Sequence, residues 1–285
     1  MRYNIFMDES KIPKILREIP DPPKKLYIQG VLPSHDEYIY LTVIGSRKFT
    51  SYGKQACEHL LAGLAGYPFV IVSGLALGID SIAHNAALEN KLITVSVPGS
   101  GLNSDVLYPA SNRGLAKRII ESGGCMVSEY EPNFKATNWS FPKRNRIMAG
   151  ISHAVLVIEA ENISGTRITS RLATEYNRDV FAVPGSIFST ASAGCNNLIR
   201  EGATPITSVQ NILEYFNLDT KKSPSQSSFI LEPQEQKIIN CLQEPRSRNS
   251  LADVTKMNII QINILLSSME IKGYITEYMG KIQKK

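Results

Sequence analysis

The sequence predicts an α/β protein: a Rossmann-like, doubly wound, mostly parallel sheet, followed by a small C-terminal winged-helix domain. Three observations carry this expectation. Short apolar runs recur from about residue 40, continuous rather than alternating, as in strands buried on both faces. Segments of helical period separate them. After a polar stretch at Asp219–Ser228, the pattern changes to three helices and a strand hairpin.

Each element follows from its residues in order. The first 39 residues, with Pro20, Pro22, Pro23 and Pro33, read as an irregular arm carrying a short strand at Lys25–Ile28. Tyr40–Ile44 is a strand ending in Gly45-Ser46-Arg47, and a helix runs from Tyr52 to Leu64. Phe69–Val72 ends in Ser73-Gly74, before a helix from Ile79 to Leu88. Leu92–Val97 ends in Pro98-Gly99-Ser100-Gly101, before a helix over Asn112–Glu121. Cys125–Ser128 ends in Glu129. Ser140–Gly150 reads as a basic loop before the next strand, Ala154–Ile158, which ends in Glu159. A helix over Ile168–Tyr176 and the strand Val180–Val183, ending in Pro184-Gly185, complete the series. The polar and glycine signals sit at strand ends, where open α/β sheets bind ligands.

The expected domains are an arm at 1–39, the Rossmann-like domain at 40–216, a linker at 217–231 and the winged-helix domain at 232–285. In the last, Glu235–Leu242 and Leu251–Val254 read as helices, Ile259–Lys272 as a longer helix stopped by Gly273, and Tyr274–Tyr278 as a strand.

Composition excludes some classes. No apolar run reaches the ~20 residues of a membrane span, and the N-terminus lacks a signal-peptide core, so the chain reads as cytoplasmic with no membrane partner. Cys57, Cys125, Cys195 and Cys241 are far apart and form no zinc spacing. No metal or cofactor is expected. The net charge of +5, from 31 basic and 26 acidic residues, is too small to argue for nucleic acid by itself, so anion binding has to come from local clusters.

Several such clusters occur. Lys143, Arg144 and Arg146 surround Asn145, with Trp139 and Phe141 close by. Cations beside aromatics suit single-stranded nucleic acid, and a solvated basic loop with Phe141 in the core is the competing reading. In Gly45-Ser46-Arg47, Gly turns the chain, Ser donates and Arg forks onto phosphate; a plain surface arginine is the alternative. Ser73-Gly74 and the helix start after them permit close backbone approach. Asp80 reads as a helix cap, and His84 either pairs with Asp80 or is structural. Ser164-Gly165-Thr166 opens a helix and offers an anion site. Glu159 either accepts from a base edge or orients Arg144 or Arg146. No Walker motif is present, and Gly99-x-Gly101 lacks a third glycine. The last long helix has only Glu270 and Lys272 as charges, which suits protein contact or structure at least as well as DNA reading.

In combination these motifs resemble the DNA-processing protein A family, DprA, also called Smf. The resemblance rests on Gly45-Ser-Arg47 with Tyr52-Gly53, Ser73-Gly-x-Ala-x-Gly-Ile-Asp80 with His84, and Gly99-x-Gly101 with Tyr108-Pro109 and Asn112. Ser128-Glu129, Phe141-Pro-x-Arg-Asn-Arg146, Ser164-Gly-Thr, Arg178–Gly185 and Gly194-x-Asn-x-Leu-Ile199 follow in order. It covers roughly residues 25–210. It implies a Rossmann-like homodimer that binds single-stranded DNA without cutting it, protects incoming DNA in natural transformation and loads the RecA recombinase. By resemblance, Arg47 and the cations Lys143, Arg144 and Arg146 hold phosphates, and Glu159 with Ser164–Thr166 lines a nucleotide pocket; no catalytic residue is implied. Arg167 stands where the family usually has an apolar residue, the third motif carries about two extra residues around Asn103-Ser104, and the helical domain preceding this core in many members has no counterpart. The alternatives are a nucleotide-hydrolysing, phosphoribohydrolase-like enzyme and a sensor of a nucleotide-derived ligand. The first would need a carboxylate just after Gly165-Thr166, where Arg167-Ile168-Thr169 stands.

Overall fold

The structure is a computed structural model, describing residues 5–8, 11–162, 164–219, 232–271, 274–278 and 280–284. Most of the expected linker, 220–231, and the expected helix stop at Gly273 lie outside them. The chain divides into two compact units, Met1–Ser225 and Gln226–Lys285.

The first unit runs β1 (Ile5–Asp8), α1 (Lys14–Arg17), β2 (Lys25–Gly30), β3 (Ile39–Ile44), α2 (Ser51–Gly63), β4 (Phe69–Ser73), α3 (Ile79–Glu89), β5 (Ile93–Ser96) and α4 (Arg113–Glu121). It continues with β6 (Cys125–Ser128), α5 (Ser140–Ile151), β7 (Ala154–Val157), α6 (Gly165–Glu175), β8 (Asp179–Ala182), α7 (Thr190–Arg200), β9 (Thr204–Pro205) and α8 (Val209–Tyr215). Nine strands form one sheet in the order β1-β2-β6-β5-β4-β3-β7-β8-β9. The strands from β6 to β9 are parallel, while β2 runs antiparallel to β6, and β1 to β2. The chain winds outward from β3 to β6, then returns to β7 on the other side of β3. The crevice at such a reversal is where an open α/β sheet takes its ligand.

The period of two sorts each strand onto two cores. Tyr40, Ile44, Val70 and Val72 face one side, with Ile147, Met148 and Ile151 of α5, Ala173 of α6 and Cys195 of α7. Leu41, Val43, Phe69 and Ile71 face the other, with Leu60 and Leu61 of α2, Ala83 of α3 and Ile212 of α8. Three of the four cysteines are buried and all four are free; burial pushes the Cys57 and Cys125 thiols up, so they behave as small apolar side chains.

Two expectations need correction. The expected short strand at Lys25–Ile28 is β2, but the described residues around it are not an irregular arm: β1 joins β2 in extending the sheet, and Ile12, Leu16 and Ile19 join the first core. Leu16 and Ile19 pack so closely on Gly150 that a methyl group there would collide with both. The basic segment Ser140–Gly150 is not a loop but most of α5. Pro142 lies in its first turn, where a missing N–H costs no helical hydrogen bond.

Histidines add an acid-sensitive element. His84 is fully buried, its Nδ1 lies 2.7 Å from Thr94 Oγ1, and burial pushes its pKa down to about 3. It does not pair with Asp80. Half-buried His153 accepts at Nδ1 from the Tyr40 N–H (2.9 Å), and burial also lowers its pKa. A histidine depressed in the folded state takes up protons on unfolding below its free value near 6.5. Its stabilising contribution is therefore complete above that value and falls as pH drops toward the folded pKa. Between about pH 7 and about pH 5, His84 alone removes about 2 kcal/mol. Urea midpoints at the two pH values check this, and equal midpoints would contradict it.

In the second unit, α9 (Pro233–Cys241), α10 (Arg248–Thr255) and α11 (Ile259–Ile271) enclose a core of Ile238, Leu251, Ile262, Leu266 and Met269. They pack with a three-stranded antiparallel sheet, β10 (Arg246–Ser247), β12 (Lys281–Lys284) and β11 (Ile275–Tyr278), in that order. Among the described residues no helix is long and apolar enough to cross a membrane.

Candidate nucleic-acid interface

Both strands at the reversal, β3 and β7, end in the motifs the sequence singles out. After β3 the chain turns through Gly45, Ser46 and Arg47. Ser46 builds the turn: its N–H donates to Glu159 O (2.8 Å), its carbonyl accepts from Ile79 N–H (3.2 Å), and its hydroxyl donates to Lys48 O (2.8 Å). The hydroxyl is thus occupied within the turn. Gly78 lies beneath, at φ +83°, and a Cβ there would strike Ser46 O and the Arg47 backbone, so only glycine fits. A rigid turn therefore projects Arg47 and Lys48, both exposed. The Arg47 guanidinium lies 5.8 Å from the ring centre of Phe141, within cation–π range.

Phe141 is placed by α5. Ser140 Oγ donates to Gly99 O (2.6 Å) and accepts from Thr137 N–H (3.0 Å), fastening the helix start to the loop after β5. The Phe141 ring lies over Gly99 and 5.6 Å from the Tyr108 ring. Trp139, 55% exposed, belongs to a separate cluster, edge-on to Tyr130 (5.9 Å) and Phe134 (5.7 Å).

The cations of α5 divide. Lys143 is half-exposed, its Nζ 3.9 Å from Oε1 of the largely buried Glu129. Arg144 is 5% exposed; its Nη1 donates to the carbonyls of Gly74 (2.6 Å) and Val97, and its Nε to Asn145 Oδ1 (3.2 Å). Burial lowers its pKa to about 10, so it stays charged at neutral pH. Arg146, 6% exposed, pairs with Glu129 and with Asp21, whose carboxylate lies 3.1 Å from Nε and whose carbonyl accepts from Nη1 (2.8 Å). Of the three expected phosphate ligands, Lys143 alone faces solvent. Arg144 and Arg146 tie α5 to the sheet and to the N-terminal segment.

Gly74 is buried against Arg144, and a Cβ there would collide with the guanidinium. Ser73 is fully buried, its hydroxyl donating to Val43 O (2.7 Å). The close backbone approach expected at Ser73-Gly74 is made by Arg144. Asp80 accepts at Oδ2 from Gly74 N–H (3.1 Å) and Ala76 N–H (3.3 Å), closing the loop before α3; burial raises its pKa, and the nearby Arg144 charge opposes that.

Glu159 orients neither arginine. It is 1% exposed, and its carboxylate accepts from the Thr50 N–H (2.9 Å) and hydroxyl at the N-terminus of α2. Gly53 leaves room for it. A carboxylate at a helix N-terminus is favourably placed, so Glu159 links the ends of β3 and β7. The expected base-edge acceptor is used up inside the protein. Thr50 belongs to none of the sequence motifs, although a threonine before a helix is a capping signal; it accepts from Gly53 N–H (3.2 Å). Ser164 stands at the N-cap position of α6, though its hydroxyl makes no capping hydrogen bond among the described residues; Gly165 is exposed with open space around it, and Thr166 is buried. They start α6 just beyond the end of β7.

The candidate site is a set of exposed cations and aromatic rings, Arg47, Lys48, Lys143, Phe141 and Tyr108, beside a frame of buried charges. Residues 3–217 match the family model of DNA recombination-mediator protein A. The chain is 44% identical over 201 residues to DNA processing protein DprA of Streptococcus pneumoniae, 70% of each protein. It is 34% identical over 285 residues to protein Smf of Escherichia coli, covering 96% of this chain and 75% of that protein. Among solved structures, DNA processing protein A of Streptococcus pneumoniae is similar with a TM-score of 0.68 and 40% identity over 74% of each chain. DNA processing protein A of Helicobacter pylori, solved for its single-stranded DNA binding mode, is similar with a TM-score of 0.67 and 34% identity over 76% of this chain and 98% of that one. The chain belongs to the DNA recombination-mediator protein A family.

Proposed function

We propose that the chain holds single-stranded DNA at the carboxyl edge of its sheet without cutting it, and passes it to the RecA recombinase. The observation that carries the reading is Arg47: exposed, fixed on a braced turn at the sheet's reversal, and set against Phe141. Cations that hold the backbone beside rings that stack on bases suit single strands of any sequence. Lys48 and Lys143 add charge on the same edge, and the single-stranded DNA binding mode of the Helicobacter pylori relative supports the same use here. The family's designation as a recombination mediator supports delivery to a recombinase; a homodimer acting in the cytoplasm is part of the same proposal. The C-terminal unit is read as a winged helix from its three helices and three-stranded sheet. Exposed Ile260 and Ile264 on α11 favour a protein contact there over a DNA groove.

Hydrolysis is less well supported. The carboxylates near the rim are engaged: Glu159 by Thr50, Asp80 by backbone N–H groups and Glu129 by Arg146. A general base needs a carboxylate within reach of substrate. Incubation with nucleoside monophosphates is expected to release no free base.

Salt tests the electrostatic part. If Arg47, Lys48 and Lys143 each meet a phosphate, the logarithm of the oligo-dT affinity falls against the logarithm of salt with a slope of about −2. Anisotropy titrations at several salt concentrations measure it. Affinity independent of salt would contradict phosphate contact.

A further inference from the structure

One exposed feature on the same edge has no role in the site so far. After β8 the chain passes through Val183-Pro184-Gly185 into a short loop, where Ile187 is 84% and Phe188 93% exposed. Two neighbouring apolar side chains this open are costly in water unless something covers them. The loop is built rather than loose. Gly185 N–H donates to Asn196 Oδ1 (3.2 Å), and Asn196 Nδ2 donates back to Gly185 O (3.1 Å). The Phe188 N–H donates to Ser186 Oγ (3.2 Å), and the Ser189 N–H to Ser186 O (3.0 Å). The backbone is held while the two side chains point away from the core.

Its position joins it to the rim. β8 pairs with β7, and β7 with β3. The ends of β3 and β8 are therefore two strand spacings apart, about 10 Å. Tyr52, in the first turn of α2, donates from its hydroxyl to Pro184 O (2.6 Å) and ties the loop to the helix that follows Arg47 and Lys48. Tyr108, Phe141 and Arg47 are thus joined by ring contacts, and Tyr52 links the helix after Arg47 and Lys48 to the turn that leads to Phe188.

We infer that Ile187 and Phe188 form a second base-stacking contact for single-stranded DNA, engaging nucleotides beyond those held at Arg47 and Phe141. This rests on the reading of the edge as a single-stranded DNA site. Charge favours a nucleic-acid occupant, because the surface between the two contacts carries the exposed cations Arg47 and Lys48. Stacking on an aromatic ring tolerates any base and adds to affinity along the strand.

The test uses the full chain and two oligo-dT lengths, one of a few nucleotides and one several times longer. Phe188→Ala is expected to weaken the longer oligonucleotide about tenfold or more, to leave the short one nearly unchanged, and to sediment as wild type. Phe188→Trp is expected to restore the affinity and to show fluorescence quenching when the longer oligonucleotide binds. Wild-type affinity of Phe188→Ala for the longer oligonucleotide overturns the inference. So does an affinity loss accompanied by altered sedimentation, which would assign the pair to contact between copies of the chain. If wild type binds neither oligonucleotide, the underlying reading fails instead. If Arg47→Ala loses binding and Phe188→Ala does not, that reading stands and this inference alone falls.

Discussion

Replacing Arg144 by alanine is expected to lower the unfolding free energy by about 3 kcal/mol or more. The cause is burial. The guanidinium bonds the carbonyls of Gly74 and Val97, both below the surface, and its charge opposes that of buried Asp80. Removing it orphans two acceptors and leaves a buried carboxylate with backbone partners only, and unpaired buried groups are expensive. The sequence alone suggests that Arg144→Ala weakens DNA binding without unfolding the protein. The geometry reverses this, because the side chain is a brace between α5, β4 and β5. Urea denaturation of wild type and variant measures the difference. An unchanged midpoint with lost DNA binding would return Arg144 to the phosphate ligands.

Arg47→Ala has the complementary outcome: oligo-dT affinity falls about ten- to hundredfold while the melting temperature stays that of wild type. The turn carrying Arg47 is built from the Ser46 backbone and hydroxyl, with Gly78 beneath, and none of these uses the Arg47 side chain. Its cation–π contact with Phe141 lies at the surface and contributes little to stability. Phosphate would take the whole guanidinium fork, and a charge-assisted bidentate contact is about twice as strong as a neutral one. Lys48 and Lys143 are point charges on flexible stems, so each is expected to matter less. A variant that binds as wild type would remove Arg47 from the interface.

These two arginines show what the sequence could and could not say. Continuous apolar runs such as Val70–Val72 and Val155–Val157 made the parallel sheet readable, and glycine and polar residues marked the strand ends. The Gly45-Ser46-Arg47 turn kept its expected place because a turn is local chemistry. α5 was hidden because Pro142 and three cations break the helical pattern, while its anchors, Ile147, Met148 and Ile151, look like the approach to the next strand. β1 and α1 were masked by the prolines that follow them. The burial of Arg144 and Arg146 depends on partners distant in sequence, Gly74, Val97, Asp21 and Glu129, and charge alone does not reveal whether a cation faces a ligand or a carbonyl. Glu159 was legible as a strand-end carboxylate. That Thr50 claims it follows only from the parallel pairing of β3 with β7, which brings their ends together.

On the proposed reading, the exposed edge around Arg47 selects single-stranded DNA. An anisotropy titration of a labelled oligo-dT against a duplex of equal length, with wild type and Arg47→Ala side by side, tests it most directly. Wild type is expected to bind the single strand about tenfold or more tighter than the duplex, and Arg47→Ala to lose most of that preference. Equal affinity for the two DNAs, or a preference untouched by Arg47→Ala, would contradict it.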